Sequence, residues 1–354
     1  MLMGTLRIDG SDQPATNENV LAALGGTEPF WLDLDDEQAD GTVSEMLSVH
    51  FGFHPLAVQS AERFNQRPRI DDYDGFMYLV ARGADPTHTG EAEVHCFWTD
   101  RYVVTVHRGG CPAIAQVRQR IGRHHASEAA NPQLVIVYFV VSALVDSYFP
   151  VLASLDDQID ELEDEILARP TEEQLGRLFD LKRSLIALRK VVTPQRDMFA
   201  TLLSGSDVLA GMTPDAERYF RDLYDHLIRI SDLVDSYRDL MSGVLDTHLS
   251  TVSNRLNVVM KQLTMIATVF LPLSFLTGFF GQNFAWMVNR ITTLPVFLGL
   301  GIGLQLLVVA ALVVLFRRRG WLSTDGTVPA ATPANRPRMA RDKRWHLLQP
   351  PIPS

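Results

Sequence analysis

The sequence predicts an α/β cytoplasmic domain followed by a long helical stalk and two transmembrane helices. Three observations carry this reading. The chain to about His125 mixes short strand and helix signals, a helical pattern continues almost without pause from Asn131, and two stretches near the C-terminus, Leu263–Phe280 and Ile291–Phe316, contain no charge. A bilayer core takes about 20 residues of helix, so the second stretch spans it and the first does so with its flanking residues. The organisation that follows is 1–130 as the α/β domain, 131–262 as helices including the stalk, and 263–283 as the first span. A loop at 284–290, a second span at 291–316 and a basic tail at 317–354 complete it.

Taken in order, Glu28–Leu34, Gly75–Val80, Val94–Trp98 and Tyr102–His107 have strand composition, with Thr99-Asp100-Arg101 as a turn between the last two. Pro112–His125 reads as a helix. Asn131 with Pro132 forms an N-cap followed by a first-turn proline, and Thr171 to Gln174 is a capping box that opens the next helix. Leu203–Met212 is a loop, and Thr213-Pro214 restarts a helix with Asp215 and Glu217 in its first turn. No glycine-proline break follows before the membrane. An unbroken helix from Pro214 to Phe280 is about 100 Å long, far beyond a globular helix, and needs partners along its length.

The 354 residues carry a net charge of −10 despite the basic tail. That acidity argues against a nucleic-acid partner and suits a surface that meets cations. Cys96 and Cys111 are the only cysteines, which fits a reducing compartment without a disulfide framework. The segment Met1–Asp12 lacks the apolar core of a secretory signal. Arg255 and Lys261 precede the first span, Arg317–Arg319 follow the second, and the connecting loop holds only Arg290. The positive-inside rule therefore places both termini in the cytoplasm, as expected for a multi-pass protein of the inner or plasma membrane.

Steps of three and four along the stalk connect Asp246, Ser250, Ser253, Asn257, Met260, Thr264, Ala267, Leu271, Ser274, Gly278 and Gly281. This stripe is mostly small or polar, whereas Val259, Leu263, Ile266, Phe270, Leu273 and Phe275 beside it are bulky. A spacing near 3.5 keeps one stripe facing the axis of a parallel bundle. Two readings stay open at this point: a wet axis, or the small-residue contact common between membrane helices. Gly281-Gln282-Asn283 then closes the helix, where the last carbonyls lack intrahelical partners. Arranged in a ring, these oxygens and the Asn283 amide suit a hydrated Mg²⁺, which sheds water reluctantly.

In this context the chain resembles the CorA-type magnesium transporter family over roughly Phe30 to Leu322. The resemblance rests on Gly281-Gln282-Asn283 after the first span, on Asn254 to Thr264 leading into it, and on Pro272-Leu273-Ser274 within it. Arg317 to Leu322, His54-Pro55-Leu56, Gln66-Arg67-Pro68 and Tyr219 to Asp222 also match. The family implies a funnel-shaped homopentamer conducting Mg²⁺ down its gradient, with no cofactor beyond the transported and regulatory ion. By resemblance, Gly281, Gln282 and Asn283 form the selectivity filter. Asn257, Met260, Leu263, Leu271 and Ser274 form the pore and gate, with Asp246 lower down and Asp222 as a regulatory metal ligand. The family's acidic inner helices match Asp156, Asp157, Asp160, Glu161, Glu163, Asp164 and Glu165, and its basic collar matches Arg317–Arg319.

Two departures stand out. Gln282 replaces the usual methionine, and the segment Phe284–Thr293 lacks an acid. The acids that would face Asp222 from a neighbouring subunit are replaced by Gln59 and Ser60, leaving Glu62 and Asp225 as the nearest substitutes in sequence. Alternatives within the expectation are a Zn²⁺, Co²⁺ or Ni²⁺ transporter of the same family and a membrane-anchored sensor that conducts nothing. His124-His125 point about 100° apart on a helix, Cys96, His107 and Cys111 lack zinc spacing, and Gly299 with Gly303 reads as helix packing. No phosphate loop or nucleophile-base pair is present, so an enzyme is not expected.

Overall fold

The computed structural model describes residues 2–8, 10–84, 91–121, 131–205, 214–282, 285, 289 and 293–321. They belong to two units, Met1–His248 and Leu249–Ser354.

The first unit is built on a seven-stranded sheet of order β2-β1-β3-β7-β6-β5-β4. Its strands are β1 (Met3–Ile8), β2 (Ser11–Pro14), β3 (Phe30–Asp35), β4 (Arg69–Tyr73), β5 (Phe76–Ala84), β6 (Glu91–Trp98) and β7 (Tyr102–His107). Only β3 with β7 pairs in parallel. The strands expected from sequence at 28–34, 75–80, 94–98 and 102–107 correspond to β3, β5, β6 and β7. The turn between the last two is closed by the Thr99 N–H on the Tyr102 carbonyl at 2.9 Å.

Alternation of period two sends the two sides of each strand into different cores. Phe30, Leu32, Leu34, Tyr78, Val80, Phe97 and Val104 face α1 (Asn17–Gly25), α2 (Thr42–Glu45, continued by a π-helical turn to His50) and α3 (Pro55–Arg63). Trp31, Leu79, Ala81, Val94, Cys96 and Val103 face α4 (Pro112–Ile121) and α5 (Pro132–Asp146). The helix expected over Pro112–His125 is described to Ile121, and His124-His125 lie outside the described residues.

Helix α5 is apolar almost all round because the sheet, α4 and the following helices enclose it. It explains why a third helical stretch, Pro132–Ala168, is also long and apolar enough to cross a membrane; 61% of its apolar window is buried within the fold. Asn131 caps α5 by accepting from the Leu134 N–H at 3.1 Å. A break at Ser147 separates α5 from α6 (Tyr148–Ala168). Both halves of the Thr171–Gln174 capping box form at the start of α7 (Glu172–Leu203).

Within the first unit α8 (Pro214–Phe280) buries Phe220, Leu223, Leu227, Ile230, Val234, Tyr237, Met241 and Val244. Alternating steps of three and four are the heptad pattern, and Leu152, Leu155, Ile159, Leu162 and Ile166 on α6 repeat it. The sheet also holds a buried polar chain. Trp31 Nε1 donates to Thr105 Oγ1 at 3.0 Å, which donates to Asp33 Oδ1 at 2.7 Å. His107 and Arg118 complete the surroundings of that carboxylate.

Candidate functional site

In the second unit the first span is the end of α8. A short turn at Leu294–Val296 and a π-helical turn, Phe297–Gly303, then lead into α9 (Leu304–Arg318). Helix α9 closes in a Schellman arrangement: Gly320 takes φ +67°, its N–H donates to the Arg317 carbonyl at 3.1 Å, and the Trp321 N–H donates to the Phe316 carbonyl at 2.8 Å. Trp321 stacks on Phe316 with centroids 5.7 Å apart. Three arginines thus crowd the last turn of the span, where the macrodipole favours them.

At about 100° per residue, Asn257, Met260, Leu263, Leu271, Ser274 and Gly281 fall within an arc of about 120° on α8. Met260 is 59% exposed, Leu263 59% and Leu271 73%. Asn257, Ser274, Gly281 and Gln282 are also exposed, as is Asp246, which belongs to the first unit. Met265, Thr268, Pro272, Leu273, Leu276 and Phe280 centre about 150° away from that arc. They are half-buried. On α9 a matching row, Leu304, Gln305, Val308, Val309 and Leu312, is half-buried and Phe316 is buried. Gln305 Nε2 donates to Thr277 Oγ1 at 3.2 Å, so the two spans lie side by side. The second span lies against the back of the first, and the stripe read from sequence is left uncovered, as are the bulky Val259, Ile266, Phe270 and Phe275 beside it.

The hydroxyls of Thr264, Thr268 and Thr277 turn back onto the carbonyls four residues earlier, at 2.7, 2.7 and 2.9 Å. Asn257 and Ser274 therefore carry the polar character of the described stripe more than the threonines do. The helix ends with the Gly281 N–H on the Thr277 carbonyl at 2.9 Å. Asn283 lies outside the described residues, as do Arg290, most of the loop 284–290 and the tail from 322 onward.

In the first unit, Asp222 of α8 accepts a hydrogen bond from the Tyr138 hydroxyl of α5 at 2.7 Å. Burial and the neighbouring Asp222 carboxylate push the Tyr138 phenol above its usual range. One turn further on, His226 Nδ1 stands 3.6 Å from Asp146 Oδ1, and that carboxylate raises the imidazole pKa against its burial. Gln59, on α3, is exposed, while Ser60 Oγ accepts from Arg69 at 2.8 Å. The acidic run on α6 is partly neutralised: Arg177 reaches Glu165 at 2.7 Å and Glu161 at 3.7 Å. Burial and the nearby Asp160 raise the Asp156 carboxyl.

Among the described residues no group of three His, Cys, Asp or Glu side chains converges to hold a metal ion. Cys96 is buried, and His107 is committed to Asp33 rather than to a thiolate. Sequence reasoning missed Tyr138 as the partner of Asp222, and the Gln305–Thr277 bond. The visible signal for the latter is an amide in the middle of an apolar span.

Comparison with protein families matches residues 27–318 to the CorA-like Mg2+ transporter protein. The cobalt/magnesium transport protein CorA of Thermotoga maritima is 34% identical over 312 residues, covering 86% of this chain and 87% of that protein. The zinc transport protein ZntB of Yersinia pestis is 25% identical over 272 residues, covering 75% and 80%. The complete structure of the CorA magnesium transporter from Methanocaldococcus jannaschii shares the fold, with a TM-score of 0.76 at 21% identity over 91% of this chain and 99% of that one. A family match across most of the sequence, joined to a relative of this identity and coverage, makes the chain a member of the CorA-like Mg2+ transporter family.

Proposed function

We propose that this protein is a homopentameric channel that admits Mg²⁺ across the cytoplasmic membrane down its electrochemical gradient, inhibited by cytoplasmic Mg²⁺. The observation that carries this reading is the uncovered stripe on the first span, from Asn257 to Gly281, set opposite the face that the second span covers. A helix apolar enough to enter the bilayer yet bare on a small and polar side needs other copies of itself there, and a closed ring of copies encloses a path. In that ring Asn257 and Ser274 are polar collars, Met260, Leu263 and Leu271 form the constriction, and Gly281, Gln282 and Asn283 offer neutral oxygens to a hydrated cation. Rings of large apolar side chains stop ions by excluding water. Arg317–Arg319 at the end of the second span favour cytoplasmic termini.

A second reading, transport of Zn²⁺ or Co²⁺, has specific support. The relatives include a zinc transport protein and a cobalt/magnesium transport protein, and Gln282 alters the filter signature. Uptake of Mg²⁺, Co²⁺, Ni²⁺ and Zn²⁺, each measured separately with purified protein in liposomes, decides between them. Mg²⁺ uptake that Asn283→Ala abolishes or strongly reduces, with the oligomer intact, supports the first reading. Zinc uptake without magnesium uptake replaces it, and no divalent flux at all leaves only the non-conducting sensor.

A further inference from the structure

One amide interrupts the apolar core of the second span, and Gln305 Nε2 donates to Thr277 Oγ1 across the two spans at 3.2 Å. Thr277 is in turn joined to the end of the first span twice. Its hydroxyl donates to the Leu273 carbonyl at 2.9 Å, and its own carbonyl accepts the Gly281 N–H at 2.9 Å. The π-helical turn Phe297–Gly303 immediately precedes α9. Each of its hydrogen bonds spans one residue more than an α-helical one, which resets the rotation of everything after it. With that setting, Gln305 shares the half-buried row of Leu304, Val308 and Leu312 that lies against the first span.

An amide in hydrocarbon has no water to turn to, so separating this pair leaves Gln305 unsatisfied. Rotation of one span against the other is thereby opposed at a point four residues before the candidate filter. We propose that Gln305, acting through Thr277, is a positioning residue that holds the outer end of the first span at the rotation presenting Gly281 and Gln282 to the ion path. The role rests on the transport reading above.

The test uses full-length protein in liposomes with Gln305→Leu, Thr277→Val, the double variant and Thr277→Ser, each assayed for Mg²⁺ and Co²⁺ uptake and for oligomer size. Hydrogen bonds between membrane helices correspond to about a threefold effect, and up to about twentyfold at the strongest. The ratio of Mg²⁺ to Co²⁺ uptake is expected to change by that amount in Gln305→Leu and in Thr277→Val. The double variant should change no further than either alone, and Thr277→Ser, which keeps the acceptor, should retain the wild-type ratio. A melting temperature that falls while the ion ratio stays at the wild-type value in both single variants overturns the positioning role and leaves a merely structural contact. Additive effects in the double variant overturn it as well. Wild-type liposomes that pass no divalent ion overturn the transport reading together with this one, whereas normal wild-type uptake with unaltered ratios removes the positioning role alone.

Discussion

Gln195 of α7 binds both backbone groups of Arg82 on β5, accepting the N–H at 2.8 Å and donating to the carbonyl at 3.2 Å. One side chain thus imitates a neighbouring strand and fastens the sheet to the helices. It is wholly buried, so removing it strands a buried donor and a buried acceptor. Gln195→Leu is expected to cost about 3 kcal/mol and to lower the melting temperature of the full-length protein by several degrees. A variant that melts with the wild type would show that water or a shifted neighbour replaces both bonds.

His107 gives a stability term with a defined pH sign. Burial lowers its pKa, but the hydrogen bond and charge of Asp33 outweigh burial, and the net shift is upward from 6.5. A histidine whose folded pKa is raised contributes stability that is full below the unfolded value and is lost as pH climbs through the folded one. Buried His95 has the opposite sign, because desolvation lowers its pKa. The stability difference between wild type and His107→Asn isolates the first term. That difference should be largest below pH 6.5 and shrink as pH rises, read by chemical unfolding between about pH 5 and 9. A difference independent of pH in that range would remove the charged pair.

Much of this architecture is written locally. Asn131 before Pro132, the Thr171–Gln174 box and the Gly320 that follows three arginines each act within a few residues, and each forms in the structure. The heptads of α6 and α8, from Leu152 to Ile166 and from Phe220 to Val244, are local patterns too, although they emerge here from the packing. Other features are set by partners distant in the chain. Strand β2, Ser11–Pro14, is polar and exposed, and only its pairing with β1 makes it a strand. The parallel pairing of β3 with β7, and Asp33 with Thr105, joins residues some seventy positions apart. Spacing along the chain carries no trace of such a pair. Within the site, the stripe on α8 was legible because one helix carries it, while its uncovered state depends on where the second span lies.

Leu271 is the most exposed of the three apolar residues on that stripe. In the proposed ring it excludes water from the path when the channel is closed. Leu271→Ser should therefore raise Mg²⁺ leak at high internal Mg²⁺, measured as efflux from loaded liposomes. Equal inhibition of the variant and the wild type would move the constriction to Met260 and Leu263.

Regulation offers the last test, where the proposed cation contact has lost part of its charge. Asp222 is held in place by the Tyr138 hydroxyl at 2.7 Å, and is thus oriented before any ion arrives. The side expected to face it from a neighbouring subunit carries Gln59 and Ser60. Ser60 Oγ already accepts a hydrogen bond from the Arg69 guanidinium at 2.8 Å, and Arg69 is paired with Asp71 at 2.8 Å, so neither Gln59 nor Ser60 offers a charge of its own. A divalent ion bridging two subunits there has Asp222 as its carboxylate and neutral groups opposite, and it holds the closed state only at a higher concentration. Gln59→Glu with Ser60→Asp restores two charges, although Arg69 pairs with one of them. The double variant should lower the internal Mg²⁺ needed for half-inhibition of uptake by at least about fivefold, and adding Arg69→Gln should lower it further. Asp222→Asn in the same background should return the curve to the wild-type position. Dose-response curves for uptake against internal Mg²⁺ that coincide for wild type and double variant would exclude Asp222, Gln59 and Ser60 from regulation.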